Sequence, residues 1–158
     1  MKKENKKILL KQIILPVLMM LLITILSSIS TTKVIGYIKL HLRIFVDFRN
    51  FIEQKLHIFL SLYQVYNLLH IPFFAIVGFL WMQFFSKRFP DNKKTILYTL
   101  IVSLSFSLLD EFHQFFVPGR DASAADLRLD LIGVCLGICV CLIFNKFARK
   151  NRNPVIDN

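Results

Sequence analysis

Four long apolar stretches constrain the fold of this chain more than any other feature of its sequence. They run over residues 8–30, 68–85, 95–116 and 129–147, close to or above the ~20 residues that a helix needs to cross a bilayer. Because 55% of the 158 residues are hydrophobic, little chain remains for a soluble module. The sequence therefore predicts an all-α membrane protein with four transmembrane helices.

The first stretch has an alternative interpretation as a cleaved signal peptide. Its apolar core, from Ile13 to Leu26, is long for such a peptide, and the following LSSIS is a poor cleavage site. We therefore expect a retained helix. The predicted organisation is a single membrane domain over residues 8–147, with basic tails at 1–7 and 148–158.

Most basic residues lie at the ends of the apolar stretches, although the net charge of +10 alone would also fit a nucleic-acid-binding protein. They form three groups: Lys2, Lys3, Lys6, Lys7 and Lys11; Lys87, Arg88, Lys93 and Lys94; Lys146, Arg149, Lys150 and Arg152. This distribution is typical of the cytoplasmic flanks of membrane helices. It predicts a multi-pass protein of the cell membrane with cytoplasmic N- and C-termini, and no nucleic-acid partner.

The segment between the first and second helices, residues 31–67, carries a regular polar stripe. Its members recur at alternating steps of four and three: Arg43, Asp47, Asn50, Gln54, His57, Ser61 and Gln64. This spacing predicts an amphipathic helix lying at the outer interface of the membrane. The alternatives are a cap on the bundle or a surface for a partner.

Two adjacent acids stand near the end of the third helix. Asp110 lies ~22 Å along a helix that starts at Thr95, so it and Glu111 are expected below the outer boundary of a ~30 Å hydrocarbon core. Ionisable groups at this depth are costly and are by default functional. Ser103, Ser107, Asp110 and Gln114 share one face, because their spacing is four, three and four.

A turn at Pro118–Gly119 ends the third helix. Arg120 follows, and its guanidinium is expected to fold back over the carboxylates or to bind an anionic ligand. Asp121 and Ser123 are candidate caps for the fourth helix.

Asp126 and Asp130 share a face of the fourth helix with Gly133 and Gly137. Small residues at this spacing allow a second helix to approach closely. That helix belongs either to the same chain or to a second copy, so a homo-oligomer through Gly133 and Gly137 is one of two options.

The other two helices also carry polar residues at their outer ends. Ser27 and Ser28 end the first helix, and Asn67 and His70 begin the second. The simplest arrangement that explains this distribution is a shared polar cavity that faces outward.

The stretch DEFHQFFVPGRDASAADLRLDLIGVCLG, together with the SS pair and LLHIPFF, resembles the signature of the VanZ-like membrane proteins. Many members carry an Asp-Lys pair at Tyr66 and Asn67, and asparagine at Asp130, so this chain departs from the pattern there. The resemblance implies a cell-envelope membrane protein. Some members are associated with resistance to teicoplanin-type antibiotics.

Our first hypothesis is binding without chemistry, with no cofactor. The cavity would hold a lipid head group, a lipid-linked envelope precursor or an amphiphilic glycopeptide antibiotic. The residues expected to contact this ligand are Gln114, Arg120, Asp126, Asp130, Ser28 and Ser107.

The alternative is a membrane-embedded hydrolase or transferase that acts on a lipid-linked envelope substrate. Glu111, Asp110 and His70 would then be its catalytic groups, with His113 as a substitute for His70. Asp110, Glu111 and Asp130 could together hold a divalent metal ion, but no metal is assigned, because neither these acids nor the three cysteines have a strict ligand spacing.

A third interpretation is purely structural. Arg120 would pair with Glu111, Asp126 or Asp130, and the ion pairs would fix the register of the helices.

Overall fold

The computed structural model describes residues 3–57, 61–120 and 122–152, and this part of the chain is helical with no strand. Its seven helices are α1 (Lys3–Ser27), α2 (Thr31–His41), α3 (Arg43–Leu56), α4 (Leu62–Asn67), α5 (His70–Ser86), α6 (Asn92–Phe115) and α7 (Ala124–Arg152). The described parts of the predicted tails continue two of these helices, since α1 begins at Lys3 and α7 extends to Arg152.

Three helical segments are long and apolar enough to cross a membrane: Leu62–Ser86, Asn92–Phe115 and Ala124–Ala148. They correspond to the second, third and fourth predicted spans. The first predicted span, residues 8–30, is a continuous helix up to Ser27, where α1 ends. Gln12–Ser27 and Thr31–His41 meet the same criterion only as a pair bent by 91°, so the count is three spans, or four if the bent pair forms one.

The corner between α1 and α2 rests on the turn between α6 and α7. The backbone N–H of Thr31 donates to the carbonyl of Gly119 over 3.2 Å. Gly119 has a φ of 78°, and a Cβ there would lie 2.6 Å from the Ser30 hydroxyl oxygen. A glycine is therefore needed at this point, both for the backbone conformation and for the contact.

The prediction of one continuous helix over the polar stripe is wrong, because the chain forms two separate helices there, α3 and α4. Helix α3 ends at Leu56, because His57 adopts a left-handed conformation with a φ of 52°. A separate helix, α4, begins after Ser61, where the side chains of Ser61 and Gln64 form a reciprocal capping box. Arg43, Asp47, Asn50 and Gln54 do share one face, but that face belongs to α3 alone.

Helices α5 and α7 form the most extensive contact in the bundle. A Cβ on Gly133 would collide with the carbonyl oxygen of Ile71, and one on Gly137 with that of Ala75. The two glycines thus pack against α5 of the same chain, which is one of the two options predicted from the sequence. A homo-oligomer through the same face would require this contact to separate.

Local capping residues fix where the last two long helices begin. The Asp91 carboxylate accepts from the backbone N–H of Lys93 over 2.9 Å at the start of α6. The Ser123 hydroxyl accepts from the N–H of Ala125 over 3.1 Å at the start of α7, so Ser123 is a cap as predicted. The other candidate, Asp121, lies outside the described residues.

The apolar core lies between α5, α6 and α7, with Ile23 of α1 at its edge. Its buried members are Ile23, Phe74, Val77, Trp81, Met82, Phe84, Phe106, Val134, Ile138 and Cys141. Large apolar side chains on the opposite faces of α6 and α7 are exposed, as expected for helices that contact lipid.

Candidate functional site

Four carboxylates are buried at the end of the bundle where α6 passes into α7, which we call the hairpin end. The exposed fraction is 3% for Asp110, 7% for Glu111, 3% for Asp126 and 1% for Asp130. Helices α6 and α7 each contribute two of them, and spacing predicts the shared face only for Asp126 and Asp130 on α7. Buried carboxylates are costly unless other groups hydrogen-bond or neutralise them, so the partners of each one decide what the site can do.

A cavity of about 220 Å³ lies beside these acids, bounded by α1, α2 and the adjoining parts of α3 to α6. Most of its wall is apolar: Ile23, Leu26, Ile29, Val34, Tyr37, Ile38, Leu42, Phe45, Leu69, Phe73 and Phe74. The polar groups in the wall are Ser27, Tyr66, His70, Asp110, Gln114 and Arg120. The cavity thus has an apolar wall and a polar corner, as a site for an amphiphilic molecule requires.

Asp110 is the carboxylate that faces the cavity. One of its oxygens accepts from the Ser27 hydroxyl over 2.7 Å, and the other accepts from the Gln114 amide over 2.8 Å. Ser27 and Gln114 are buried as well. Both partners are neutral donors, so they orient the carboxylate and leave its negative charge without a cation.

Arg120 spans the cavity at the hairpin end, but it does not lie over the acids. Its Nε donates to the carbonyl of Ile29 over 2.9 Å, and one terminal nitrogen donates to the carbonyl of Leu26 over 3.2 Å and to the Tyr66 hydroxyl over 2.6 Å. The guanidinium therefore caps the end of α1 and ties it to Tyr66. Among the described residues it forms no salt bridge, contrary to the expectation that it covers the carboxylates.

His70 links the cavity to the acids that lie between the helices. Its Nδ1 is 2.8 Å from one oxygen of Asp130, and the second oxygen of Asp130 accepts from the Ser107 hydroxyl over 2.5 Å. The carboxylate fixes the orientation of the imidazole, as second-shell carboxylates do in catalytic and metal sites. His70 itself lines the cavity, whereas Asp130 and Ser107 lie behind it.

The remaining two acids lie between helices and do not line the cavity. Asp126 accepts from the Asn67 amide over 3.0 Å. One oxygen of Glu111 accepts from the backbone N–H of Ser123 over 2.8 Å, which ties α6 to the start of α7. Its other oxygen is buried without a hydrogen-bond partner in the described part of the chain.

The charges near the cavity are therefore poorly compensated. His70 is the one basic side chain paired with an acid at the hairpin end, within the ranges that the structure covers. The same residues include no group of three or more His, Cys, Asp or Glu side chains placed to hold a metal ion. Among these residues Arg120 forms no ion pair with Glu111, Asp126 or Asp130. The structural interpretation is therefore wrong about the ion pairs that it predicts.

The structure gathers most of the predicted site residues but divides them into two layers. Asp110, Gln114, Arg120 and His70 line the cavity. Ser107, Glu111, Asp126 and Asp130 lie behind that wall.

Ser28 is misplaced in the prediction. Its side chain is exposed and donates to the carbonyl of Thr24 in its own helix. Ser27, the preceding residue, reaches Asp110 instead. The SS pair ends a helix, where apolar spacing no longer distinguishes the two faces, so the sequence could not select between them.

Two further contacts involve positions where the chain departs from the VanZ-like pattern. Tyr66 binds Arg120, and Asn67 binds Asp126. Tyr66 and Asn67 precede His70 by four and three residues, the spacing that puts side chains on one helical face. That spacing was the available signal for both contacts.

The chain was compared with family models, curated proteins and solved structures. The family model described as VanZ/LLP1 matches residues 13–145, which is most of the chain and includes every residue of the cavity. No curated protein and no solved structure matches.

Proposed function

This chain belongs to the VanZ/LLP1 family of membrane proteins, and from that premise we propose that its cavity binds an amphiphilic molecule of the cell envelope. The ligand is a lipid head group, a lipid-linked envelope precursor or an amphiphilic glycopeptide antibiotic. The proposal includes an outward-facing cavity, with the basic termini in the cytoplasm, and a role in resistance to glycopeptides of the teicoplanin type.

The observation that carries this proposal is the composition of the cavity wall. Apolar side chains from α1, α2, α3 and α5 surround a corner with Asp110, Gln114, His70 and Arg120. A volume of about 220 Å³ is below the ~300–1,000 Å³ of typical sites for drug-sized ligands. It therefore accommodates a head group and the first part of a chain, with the rest of the ligand in the bilayer.

Access to the cavity supports a ligand that comes from the membrane. Leu26, Ile29, Tyr37 and Leu42 line the cavity and are also exposed at the surface of the protein. The entrance therefore lies along α1 and α2. A lipid-borne ligand would reach the polar corner from this side without crossing the core.

A cavity-filling substitution tests the binding proposal. Val34 lines the cavity, and Val34→Trp should occupy it and lower amphiphile binding by about tenfold or more. Val140→Trp makes the same change on an exposed face of α7 and should leave binding at the wild-type level. Binding is measured with purified protein in nanodiscs, after circular dichroism and size-exclusion chromatography show that both variants are folded.

The resistance role is tested in cells. Expression of the wild-type chain in a susceptible host should raise the inhibitory concentration of teicoplanin, and Val34→Trp at equal protein level should abolish the increase. An unchanged inhibitory concentration with the wild-type chain would contradict the resistance role but not the binding site.

One observation favours a second candidate function, an enzyme that acts on a lipid-linked envelope substrate. Asp130 holds Nδ1 of His70, and His70 lines the cavity. An imidazole held in this way can transfer a proton at its other nitrogen to or from a bound substrate. Asp110 would be the second acid or base, whereas Glu111 lies behind the cavity wall and does not fit a direct catalytic role.

Product detection distinguishes the two functions. Purified protein is incubated with lipid-linked precursors and phospholipids, and the products are identified by mass spectrometry. Turnover that is lost in His70→Gln but retained in His113→Gln would support the enzyme. Binding without any product across the panel would favour the binding function.

A further inference from the structure

The cavity contains two opposite charges that are not paired with each other. Asp110 is held by the neutral donors Ser27 and Gln114. Arg120 is held by the neutral acceptors Ile29, Leu26 and Tyr66. In the described parts of the chain neither side chain forms a salt bridge, so neither is paired with a group of opposite charge.

Both charged side chains line the cavity and contact neighbouring residues of α1. The Arg120 guanidinium contacts the carbonyl of Leu26, and the Asp110 carboxylate contacts the side chain of Ser27. Leu26 and Ser27 are consecutive residues of α1, whose Cα atoms are ~3.8 Å apart. Both charged groups are therefore anchored at the end of α1, where one ligand head group would contact both.

The surrounding wall suits a cationic group next to Asp110. Tyr37, Phe45, Tyr66, Phe73 and Phe74 line the same cavity, and aromatic faces attract ammonium groups. The guanidinium can donate a charge-assisted hydrogen bond to a phosphate oxygen through the N–H groups that remain free. One of its terminal nitrogens makes no hydrogen bond with the described residues.

We infer that the ligand is a zwitterionic amphiphile, with a phosphate against Arg120, an ammonium group against Asp110 and an apolar tail along α1 and α2. This inference rests on the proposed binding function and narrows its ligand. A purely anionic lipid, such as a polyprenyl phosphate, would leave the Asp110 carboxylate unpaired in a low-dielectric site, where an unpaired charge is costly.

The test compares head groups that differ in one charge. Wild-type protein in nanodiscs of a neutral glycolipid is titrated with phosphatidylethanolamine, phosphatidylglycerol, undecaprenyl phosphate and soluble phosphoethanolamine. Binding is measured by native mass spectrometry. We expect phosphatidylethanolamine to bind about tenfold more tightly than the two anionic lipids. Soluble phosphoethanolamine should bind much more weakly because it has no tail, and equal affinity for it would overturn the requirement for an amphiphile.

A substitution then removes the proposed ammonium partner. Asp110→Asn should lower the affinity for phosphatidylethanolamine about tenfold and leave that for phosphatidylglycerol unchanged or higher. The amide still accepts from Ser27, and Gln114 can turn its own amide to match, so the fold is retained. Asp47→Asn makes the same chemical change on the exposed face of α3 and should have no effect.

Arg120→Lys keeps the positive charge but removes the guanidinium and its free terminal nitrogen. The substitution should lower the affinities for phosphatidylethanolamine and phosphatidylglycerol by similar factors, because both lipids carry the phosphate. A lower affinity for only one of the two lipids would overturn the assignment of the phosphate to Arg120.

The outcomes separate this inference from the binding proposal. If the wild-type protein and Asp110→Asn bind phosphatidylglycerol as tightly as phosphatidylethanolamine, the zwitterionic ligand is wrong and the binding proposal stands. If no amphiphile binds the wild-type protein, both are wrong.

Discussion

The two adjacent serines at the end of α1 offer a sharp test of the site. Ser27 is 5% exposed and donates to the buried Asp110 carboxylate over 2.7 Å. Ser28 is exposed and donates only to the carbonyl of Thr24 over 2.7 Å. Replacement of each by alanine removes one hydroxyl, from neighbouring positions in the same helix, so the two variants differ mainly in the lost partner.

The expected cost of Ser27→Ala follows from that partner. Hydrogen bonds between membrane helices contribute ~0.6 kcal/mol on average, whereas an acceptor left unsatisfied costs about 1–3 kcal/mol, and more when it is charged. Asp110 retains its bond to Gln114, so only one of its two oxygens loses its partner. We therefore expect Ser27→Ala to lower the free energy of unfolding by about 1–2 kcal/mol, between these limits. Ser28→Ala should change it by less than about 0.5 kcal/mol.

The single tryptophan of the chain provides the assay. Trp81 is 6% exposed and packs with Phe84 and Phe85, so its fluorescence should report separation of the core. For a protein of this size, 1–2 kcal/mol corresponds to a decrease in the melting temperature of roughly 2–8 °C. If Ser28→Ala were as destabilising as Ser27→Ala, the assignment of Ser27 to Asp110 would be refuted.

Three further predictions concern packing, the hairpin and topology. Gly137→Ala should destabilise the protein by about 1–3 kcal/mol, because the added methyl collides with the α5 backbone. The control, Gly36→Ala, adds a methyl in open space and should be neutral or stabilising by up to ~1 kcal/mol. Thermal unfolding measures both effects. Glu111→Gln should leave the free energy of unfolding unchanged or raised, because it removes a buried charge. Glu111→Leu should lower it by about 1–3 kcal/mol, because the Ser123 N–H loses its acceptor. Equal stability of the two variants would contradict the role of Glu111 in holding the hairpin. A reporter fused after residue 90 should behave as cytoplasmic and one fused after residue 120 as external, since positive residues favour the cytoplasmic side. The reverse pattern would contradict an outward-facing cavity.

Much of the fold could be predicted from the sequence because membrane helices depend on long apolar runs and on basic flanks. The ends of α6 also follow from local signals, since Asp91 caps its start and the Pro118–Gly119 turn follows its end. The corner between α1 and α2 could not be predicted in this way. It depends on the contact of Thr31 with Gly119, which are far apart in the sequence.

The candidate site was predictable as a set of residues but not as an arrangement. Helical spacing correctly put Asp110 and Gln114 on one face and Asp126 and Asp130 on another. It could not determine which acid faces the cavity, because adjacent residues such as Asp110 and Glu111 point only ~100° apart on a helix. That choice depends on the rotation of α6 within the bundle, which the packing of all its neighbours sets.

The position of Arg120 shows a second limit of reasoning from sequence. A guanidinium near several acids suggests an ion pair, yet this one binds the carbonyls of Leu26 and Ile29. The last carbonyls of a helix have no partner within the helix and carry partial negative charge, so the end of α1 competes with the carboxylates for the arginine. The outcome depends on where α1 ends in space, which its own sequence does not determine.

The central claim is that the cavity at the hairpin end holds an amphiphile, and photo-crosslinking tests it most directly. A phospholipid with a diazirine near its head group is incorporated into nanodiscs with the protein, and the labelled residues are mapped by mass spectrometry after irradiation. We predict adducts on cavity residues such as Tyr37 and Phe73, reduced in Val34→Trp. Labelling confined to the exposed faces of α6 and α7, at residues such as Phe112 and Phe144, would contradict the claim.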